Sequence, residues 1–318
     1  MTQVFSPAPS APSRAPSATP PAGSAVKAAL LTLLACALFA GANAFAKAAQ
    51  ADGTIAPQQV VFFRFLFGFL VLTPWLLMAK GPVFRTRVPQ IHAVRVACGM
   101  GGIACLFAAL GHLPLADVTA IAWSNPLVAM VVAAIFLGDK VDARRWLWAA
   151  LGFAGVLVMM RPTGAALGPE GLLAVGAALL IGAEVVTIRL LSQRDGPLTI
   201  LAFANAGGCA AAALLAWPVL VWPAPAQWVL LAGTGAVMVI GQLFFMAALK
   251  ARETSFVAPF YYATLIFAFI YGVIFFDEIP DLFAYVGSAM IVASGMAIAI
   301  LGARTRARVA RAASETQG

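Results

Sequence analysis

Ten stretches of this chain are each long and apolar enough to cross a lipid bilayer: 29–49, 58–79, 93–112, 115–138, 145–162, 170–190, 198–221, 228–249, 254–276 and 282–302. A spanning helix needs roughly 20 mostly apolar residues. The runs are continuous rather than alternating, which reads as helices and not as strands of a barrel. Of the 318 residues, 62% are hydrophobic and 10% charged. A soluble domain is about half apolar and about a quarter charged, so a water-soluble globule cannot hide this much apolar surface. The expected class is all-α integral membrane, with lipid as the solvent.

Charge sets the orientation. The net charge of +8 is not spread evenly. Basic residues gather in alternate loops: Lys80, Arg85, Arg87 and Arg95, then Lys140, Arg144 and Arg145, then Arg189 and Arg194, then Lys250 and Arg252. The intervening loops carry Asp52, then His112 and Asp117, then Arg161 and Glu170, then PAPAQ, then Asp277, Glu278 and Asp281. The side rich in Lys and Arg is the cytoplasmic one. Ten spans with both termini cytoplasmic satisfy this pattern. No basic patch interleaved with aromatics appears, so nucleic acid is not an expected partner.

The chain also repeats itself. GANAFAKAAQADG (Gly41 to Gly53) matches GAEVVTIRLLSQRDG (Gly182 to Gly196), each near the end of the first helix of a five-helix set. FLGDKV (Phe136 to Val141) matches FFDEIP (Phe275 to Pro280), each ending a fourth helix. A glycine-bearing fifth helix follows, with GFAG at Gly152 to Gly155 and GSAM at Gly287 to Met290. An odd number of spans per copy forces the copies into opposite orientations. Ten transmembrane helices as two inverted five-helix repeats are therefore expected, an architecture used by many secondary transporters. The divisions are a disordered cytoplasmic tail at 1–27, repeats at 28–162 and 163–303, and a basic, unstructured cytoplasmic tail at 304–318.

Three motifs carry a family resemblance over about residues 28 to 303. They are LPLADVTAIAWSNPLVAMVVAAIFLGDKVDARRW (Leu113 to Trp146), GFAGVLVMMRP (Gly152 to Pro162) and FFRFLFG (Phe62 to Gly68). The chain resembles the drug/metabolite transporter superfamily, in its ten-helix branch with two EamA domains. The LPLAD and RRW elements are similar to a proteobacterial subgroup that includes riboflavin and S-adenosylmethionine importers. The resemblance implies a bacterial inner-membrane transporter of a small metabolite, such as a vitamin or nucleoside-like solute, with amino-acid or drug-like export as the alternative. It implies no cofactor and no enzymatic activity, and leaves a homodimer open.

Polar groups at bilayer depth mark candidate site residues, because they are costly unless they face a cavity or a partner. Glu184 lies about 9 Å inside its helix from the cytoplasmic end, and its repeat mate is Asn43. Arg64 lies toward the outer end of the second helix, with Asn205 as its rough mate. Gln242 completes the set. Arg64 suits a carboxylate or phosphate, and Glu184 suits an amine or a coupling proton. The competing readings are a snorkelling Arg64, an ion pair of Glu184 with Arg189 or Arg194, and interhelical hydrogen bonding by Asn43, Asn205 and Gln242.

The fourth span carries its own signal. Pro126 removes a backbone donor and frees the carbonyl near Ala122. Ser124 and Asn125 supply polarity there, and Trp123 a stacking surface, so the break suits an alternating-access site; a packing kink without ligand contact is the rival. Asp139 and Lys140 end this helix at the cytoplasmic surface. The ninth span, FYYATLIFAF, has no matching proline, so the two fourth-type helices are expected to bend differently. Its Tyr261, Tyr262 and Thr264 lie near midplane, and one tyrosine, with Tyr262 as the choice, is expected to line the cavity.

Other chemistries lack their residues. Cys36, Cys98, Cys105 and Cys209 fall inside spans without metal or redox spacing and read as packing residues. His92 and His112, the only histidines, lie near loops and make no nucleophile–base or metal set, so an intramembrane enzyme is disfavoured. No GxxxxGK[ST] loop is present to bind ATP. A channel would be separated from a carrier by the absence of saturable flux.

Overall fold

The computed structural model describes residues 22–79, 83–137, 142–160, 168–251, 257 and 260–315. It contains α1 (Ala22–Ala49), α2 (Pro57–Leu77), α3 (Pro89–Leu110), α4 (Leu115–Ala122), α5 (Asn125–Leu137), α6 (Ala143–Met160), α7 (Pro169–Ser192), α8 (Pro197–Ala216), α9 (Pro225–Ala251), α10 (Ala263–Phe276) and α11 (Leu282–Glu315). A short 3-10 turn, Trp217–Val219, follows α8. No strand occurs among the described residues.

Proline sets many of the helix starts. Helices α2, α3, α7, α8 and α9 each begin on one, because Pro at the first helical position loses a donor that has no partner there anyway. Eight spans are long and apolar enough to cross a membrane by length and composition, counting α4 and α5 as one span. Helix α6, with 18 residues, and α10, with 14, complete the ten. Lipid-side positions are apolar and exposed, among them Leu30, Leu70, Leu147, Leu179, Leu214 and Ile266. Trp217 and Trp222 stand exposed beyond the end of α8, where interfacial indoles are favoured.

Packing shows the inverted repeat directly. In span order the first half is α1, α2, α3, α4–α5 and α6. The second is α7, α8, α9, α10 with the residues just before it, and α11. Helix α1 packs along α9, and α7 along α3; exchanging the halves turns one pairing into the other. The same exchange relates α2–α9 to α8–α3, and α1–α10 to α7–α5, while α2–α8 and α6–α11 map onto themselves. Small residues allow the close approach, as membrane helix packing requires. A Cβ on Gly155 would lie 2.8 Å from the Gly287 carbonyl oxygen, and one on Gly235 would lie 2.5 Å from that of Arg64. The GFAG and GSAM segments thus face each other between α6 and α11.

Three expectations change. The last helix does not stop near Ala303; α11 continues to Glu315, so the segment read as an unstructured tail is helical through that residue. The ninth span is interrupted although no proline stands at the position matching Pro126; its one proline, Pro259, comes earlier. Phe260 and Tyr261 are helical, Tyr262 is a turn, and α10 starts at Ala263. Aligning Phe136 with Phe275 places Trp123 opposite Tyr262, so the breaks match across the repeats rather than differing. Arg95 is not a loop residue: Pro89 starts α3, and Arg95 is buried on it, 6% exposed. The segment 1–21 and the Asp139–Lys140 pair lie outside the described residues, and α1 begins at Ala22, inside the stretch read as a tail.

Candidate functional site

The two helix breaks meet near the centre of the protein. At the first, the donors lost to Pro126 and to the turn are replaced locally. Asn125 Nδ2 donates to the Ala122 carbonyl (2.9 Å), and Ser124 Oγ donates to that of Ile121 (2.7 Å). At the second, the Tyr261 carbonyl accepts from Thr264 Oγ1 (2.9 Å) and from the Cys36 thiol (3.4 Å). Cys36 therefore helps satisfy the break as well as packing. The Trp123 ring centroid lies 4.2 Å from that of Tyr261 and 6.2 Å from that of Tyr262. Helix α7 runs tightly past the first break, since a Cβ on Gly182 would lie 2.8 Å from the Asn125 carbonyl oxygen.

Two residues beyond Gly182, α7 presents Glu184 to a polar cavity. Its volume is about 80 Å³. Arg64 from α2, Arg95 and Gly99 from α3, Glu184 from α7, Asn205 from α8 and Gln242 from α9 line it, with Phe65, Met100 and Ile103 as apolar wall. Gly99 leaves room for the carboxylate, because a Cβ there would lie 2.8 Å from Glu184 Oε1. Glu184 Oε1 pairs with Arg95 Nη2 at 3.5 Å, and Arg95 Nη1 donates to the Ile200 carbonyl at 3.3 Å. The partner is thus on α3, and not the Arg189 or Arg194 offered by the sequence. Arg64 does not snorkel. It is 8% exposed, with its guanidinium carbon 4.7 Å above the Phe65 ring and Nε without a hydrogen-bond partner. Gln242 Oε1 is also buried and unpartnered, and Asn205 Nδ2 bonds back to the Leu201 carbonyl.

The structure brings Arg64, Glu184, Asn205 and Gln242 into one cavity, and adds Arg95. Pro89 was the available signal for Arg95, since a helix starting there carries it well inside the membrane. Asn43 is buried on α1 with Oδ1 unpartnered but does not line this cavity. Trp123 and Asn125 stand at the break beside it. Tyr262 turns away: its hydroxyl presses on Gly295 of α11, and its ring borders an apolar groove with Leu33, Ile266 and Met296.

Polar knots tie the repeats together at both ends. At one end, Glu278 pairs with Lys47 Nζ at 2.6 Å and accepts from the Leu115 amide at 2.7 Å, capping α4. Lys47 Nζ also donates to the Leu113 carbonyl. At the other end, Asp195 Oδ2 lies 2.8 Å from His92 Nε2 and accepts from Thr86 Oγ1 at 2.8 Å. No group of His, Cys, Asp or Glu fit to hold a metal occurs among the described residues.

Ten spans in inverted repeats, matched helix breaks and a charged cavity between the repeats are the features of a polytopic membrane transporter. The profile of the EamA-like transporter family matches residues 26–161 and again 169–300. The chain belongs to that family, within the drug/metabolite transporter superfamily, and is a multi-pass membrane transporter. It is 30% identical to the pseudopaline exporter of Pseudomonas aeruginosa over 85% of this chain and 94% of that one. It is 28% identical to a riboflavin transporter of Rhizobium johnstonii, covering 74% and 79%. It is 24% identical to an S-adenosylmethionine uptake transporter of Rickettsia prowazekii, covering 74% and 80%. A solved structure described only as the crystal structure of a protein shares the fold, with a TM-score of 0.63 and 22% identity over 88% of this chain and 98% of that one.

Proposed function

We propose that the protein is a secondary transporter that moves a small organic metabolite across the bacterial inner membrane by alternating access, with both termini cytoplasmic. The observation that carries this reading is the cavity holding Arg64, Arg95, Glu184, Asn205 and Gln242 between the repeats. Charged groups at such depth are retained where they meet a solute or each other. The mechanical elements surround it. The breaks at Trp123 and Tyr262 let the outer and inner parts of the fourth and ninth spans pivot separately. Glu184 follows Gly182 on α7, so movement at the Asn125 break is felt at the cavity. The knots at Glu278 and Asp195 are the contacts that must exchange for one end to open while the other closes. Glu184 is the candidate coupling group. Relatives named for riboflavin, S-adenosylmethionine and pseudopaline support a vitamin-, nucleoside- or amino-acid-like solute.

The test is metabolite profiling of cells with and without the protein, followed by uptake of each changed compound into proteoliposomes. Saturable uptake is expected; flux linear in concentration would indicate a channel. For topology, a reporter fused after residue 318 is expected to read cytoplasmic, and one inserted near Ala224 periplasmic. Finding both on one side defeats the ten-span threading.

Trp123→Ala is expected to slow transport about tenfold, the scale of one lost aromatic contact, with the protein still in the membrane. Tyr262→Ala, which leaves a gap beside Gly295, is expected to act on the amount of folded protein. Normal uptake by Trp123→Ala removes that residue from the pathway.

A further inference from the structure

We infer that the transported solute carries a carboxylate, and that Arg64 is the group that binds it. This rests on the transporter reading and narrows it to one solute chemistry.

The cavity holds two guanidiniums, Arg64 and Arg95, and one carboxylate, Glu184. Glu184 is engaged by Arg95, and Arg95 is further held by the Ile200 carbonyl. Among the described residues Arg64 makes no hydrogen bond or ion pair. Its guanidinium lies over the Phe65 ring, its Nε is buried without a partner, and it shares the charge of Glu184 with Arg95 at longer range. Two buried guanidiniums that share one carboxylate leave an excess positive charge, which is costly. One negative group is what the cavity lacks for neutrality.

The shape of the donors selects the class of anion. A guanidinium presents a flat fork that matches the two oxygens of a carboxylate. Gln242 from α9 and Asn205 from α8 bring side-chain amides to the same space, able to orient toward an anionic oxygen. A phosphate dianion would overshoot the single missing charge. Phe65, Met100 and Ile103 form the apolar wall of this space, whose volume of about 80 Å³ suits a carboxylate group. Helix α2 also carries Arg64 past Gly235 at backbone contact, so the fork is fixed by packing and not by a flexible loop.

Two measurements on the purified full-length protein test this. The first needs no ligand. Arg64→Met keeps side-chain length and removes the excess positive charge, so its Tm is expected to exceed that of the unmodified protein. A lower Tm means Arg64 holds the fold together and overturns the proposal. The second measures the Tm shift on adding phenylacetate, phenylalanine, S-adenosylmethionine, phenylacetamide, riboflavin, phenethylamine or inorganic phosphate. The three carboxylates should raise Tm more than their carboxylate-free counterparts, and Arg64→Gln should weaken that response about tenfold or more. Arg64→Lys should recover only part of it. A response led by phenethylamine, riboflavin or phosphate overturns the proposal, as does one unchanged in Arg64→Gln or the absence of any response to the carboxylates. Metabolite differences confined to compounds without a carboxylate would sink the anion site and keep the transporter. Carboxylate binding without any movement in proteoliposomes would do the reverse.

Discussion

Glu184→Ala is expected to destabilise the protein by about 3–5 kcal/mol, the cost of breaking a buried ion pair from one side. The variant leaves Arg64 and Arg95 facing one another's charge across the cavity with no carboxylate between them. Denaturation of the detergent-solubilised protein, compared with Arg95→Met and with the double variant, checks this. The double variant should recover much of the loss, because it removes the stranded cation along with its partner. Glu184→Gln separates the functional roles. If the carboxylate carries a coupling proton, uphill accumulation is abolished while exchange down a gradient persists. If it binds a solute amine, both fall together. A well-expressed Gln variant that accumulates solute normally removes Glu184 from the site and leaves it as the counter-charge of Arg95.

Glu278→Ala is expected to loosen the end of the protein that the proposed topology places outside by about 3 kcal/mol, because two partners are lost at once. Lys47 loses its 2.6 Å carboxylate, and the first amide of α4 loses its acceptor. The structural readout is a lower Tm. The conformational readout uses Cys36, which is buried and bonded to the Tyr261 carbonyl. In a background with Cys98, Cys105 and Cys209 replaced by Ala, Glu278→Ala should speed labelling of Cys36 by an impermeant maleimide added from outside. Unchanged labelling together with unchanged Tm would show that Glu278 does not hold the outer end shut. Glu278→Gln, which can still accept from the Leu115 amide, should fall between the two.

These cases show what the sequence could and could not disclose. The spans, the repeat and the first break were legible because each depends on residues close together in the chain. Continuous apolar runs name the solvent. Pro126 predicts a freed carbonyl at Ala122, and Asn125 Nδ2 is found on it. The partner of Glu184 was not legible, because Arg95 lies on another helix and only tertiary packing chooses it over the nearer Arg189. The second break was missed because no proline stands in register with Pro126; Pro259 comes three residues before the turn. Cys36 and Thr264 satisfy the Tyr261 carbonyl, and a contact from α1 leaves no local trace. Tyr262 was placed by depth alone. Depth says how far along a helix a side chain sits but not which way it faces, and Gly295 decides that.

The pairing of helices across the repeats has a consequence for biosynthesis. Helix α1 finds its main neighbour in α9, and α3 in α7. Lys47, Arg64 and Arg95 all belong to the first repeat, whereas the carboxylates that answer them, Glu278 and Glu184, belong to the second. A ribosome that has delivered only the first five spans has therefore placed three cations in or beside the bilayer with no anions to meet them. That half has apolar length enough to insert but neither the neighbours nor the counter-charges to fold, and its assembly waits for α7 to bring Glu184 and for the turn after α10 to bring Glu278. Truncation after residue 160 should yield an inserted, protease-sensitive fragment, which co-expression of the remaining chain would rescue.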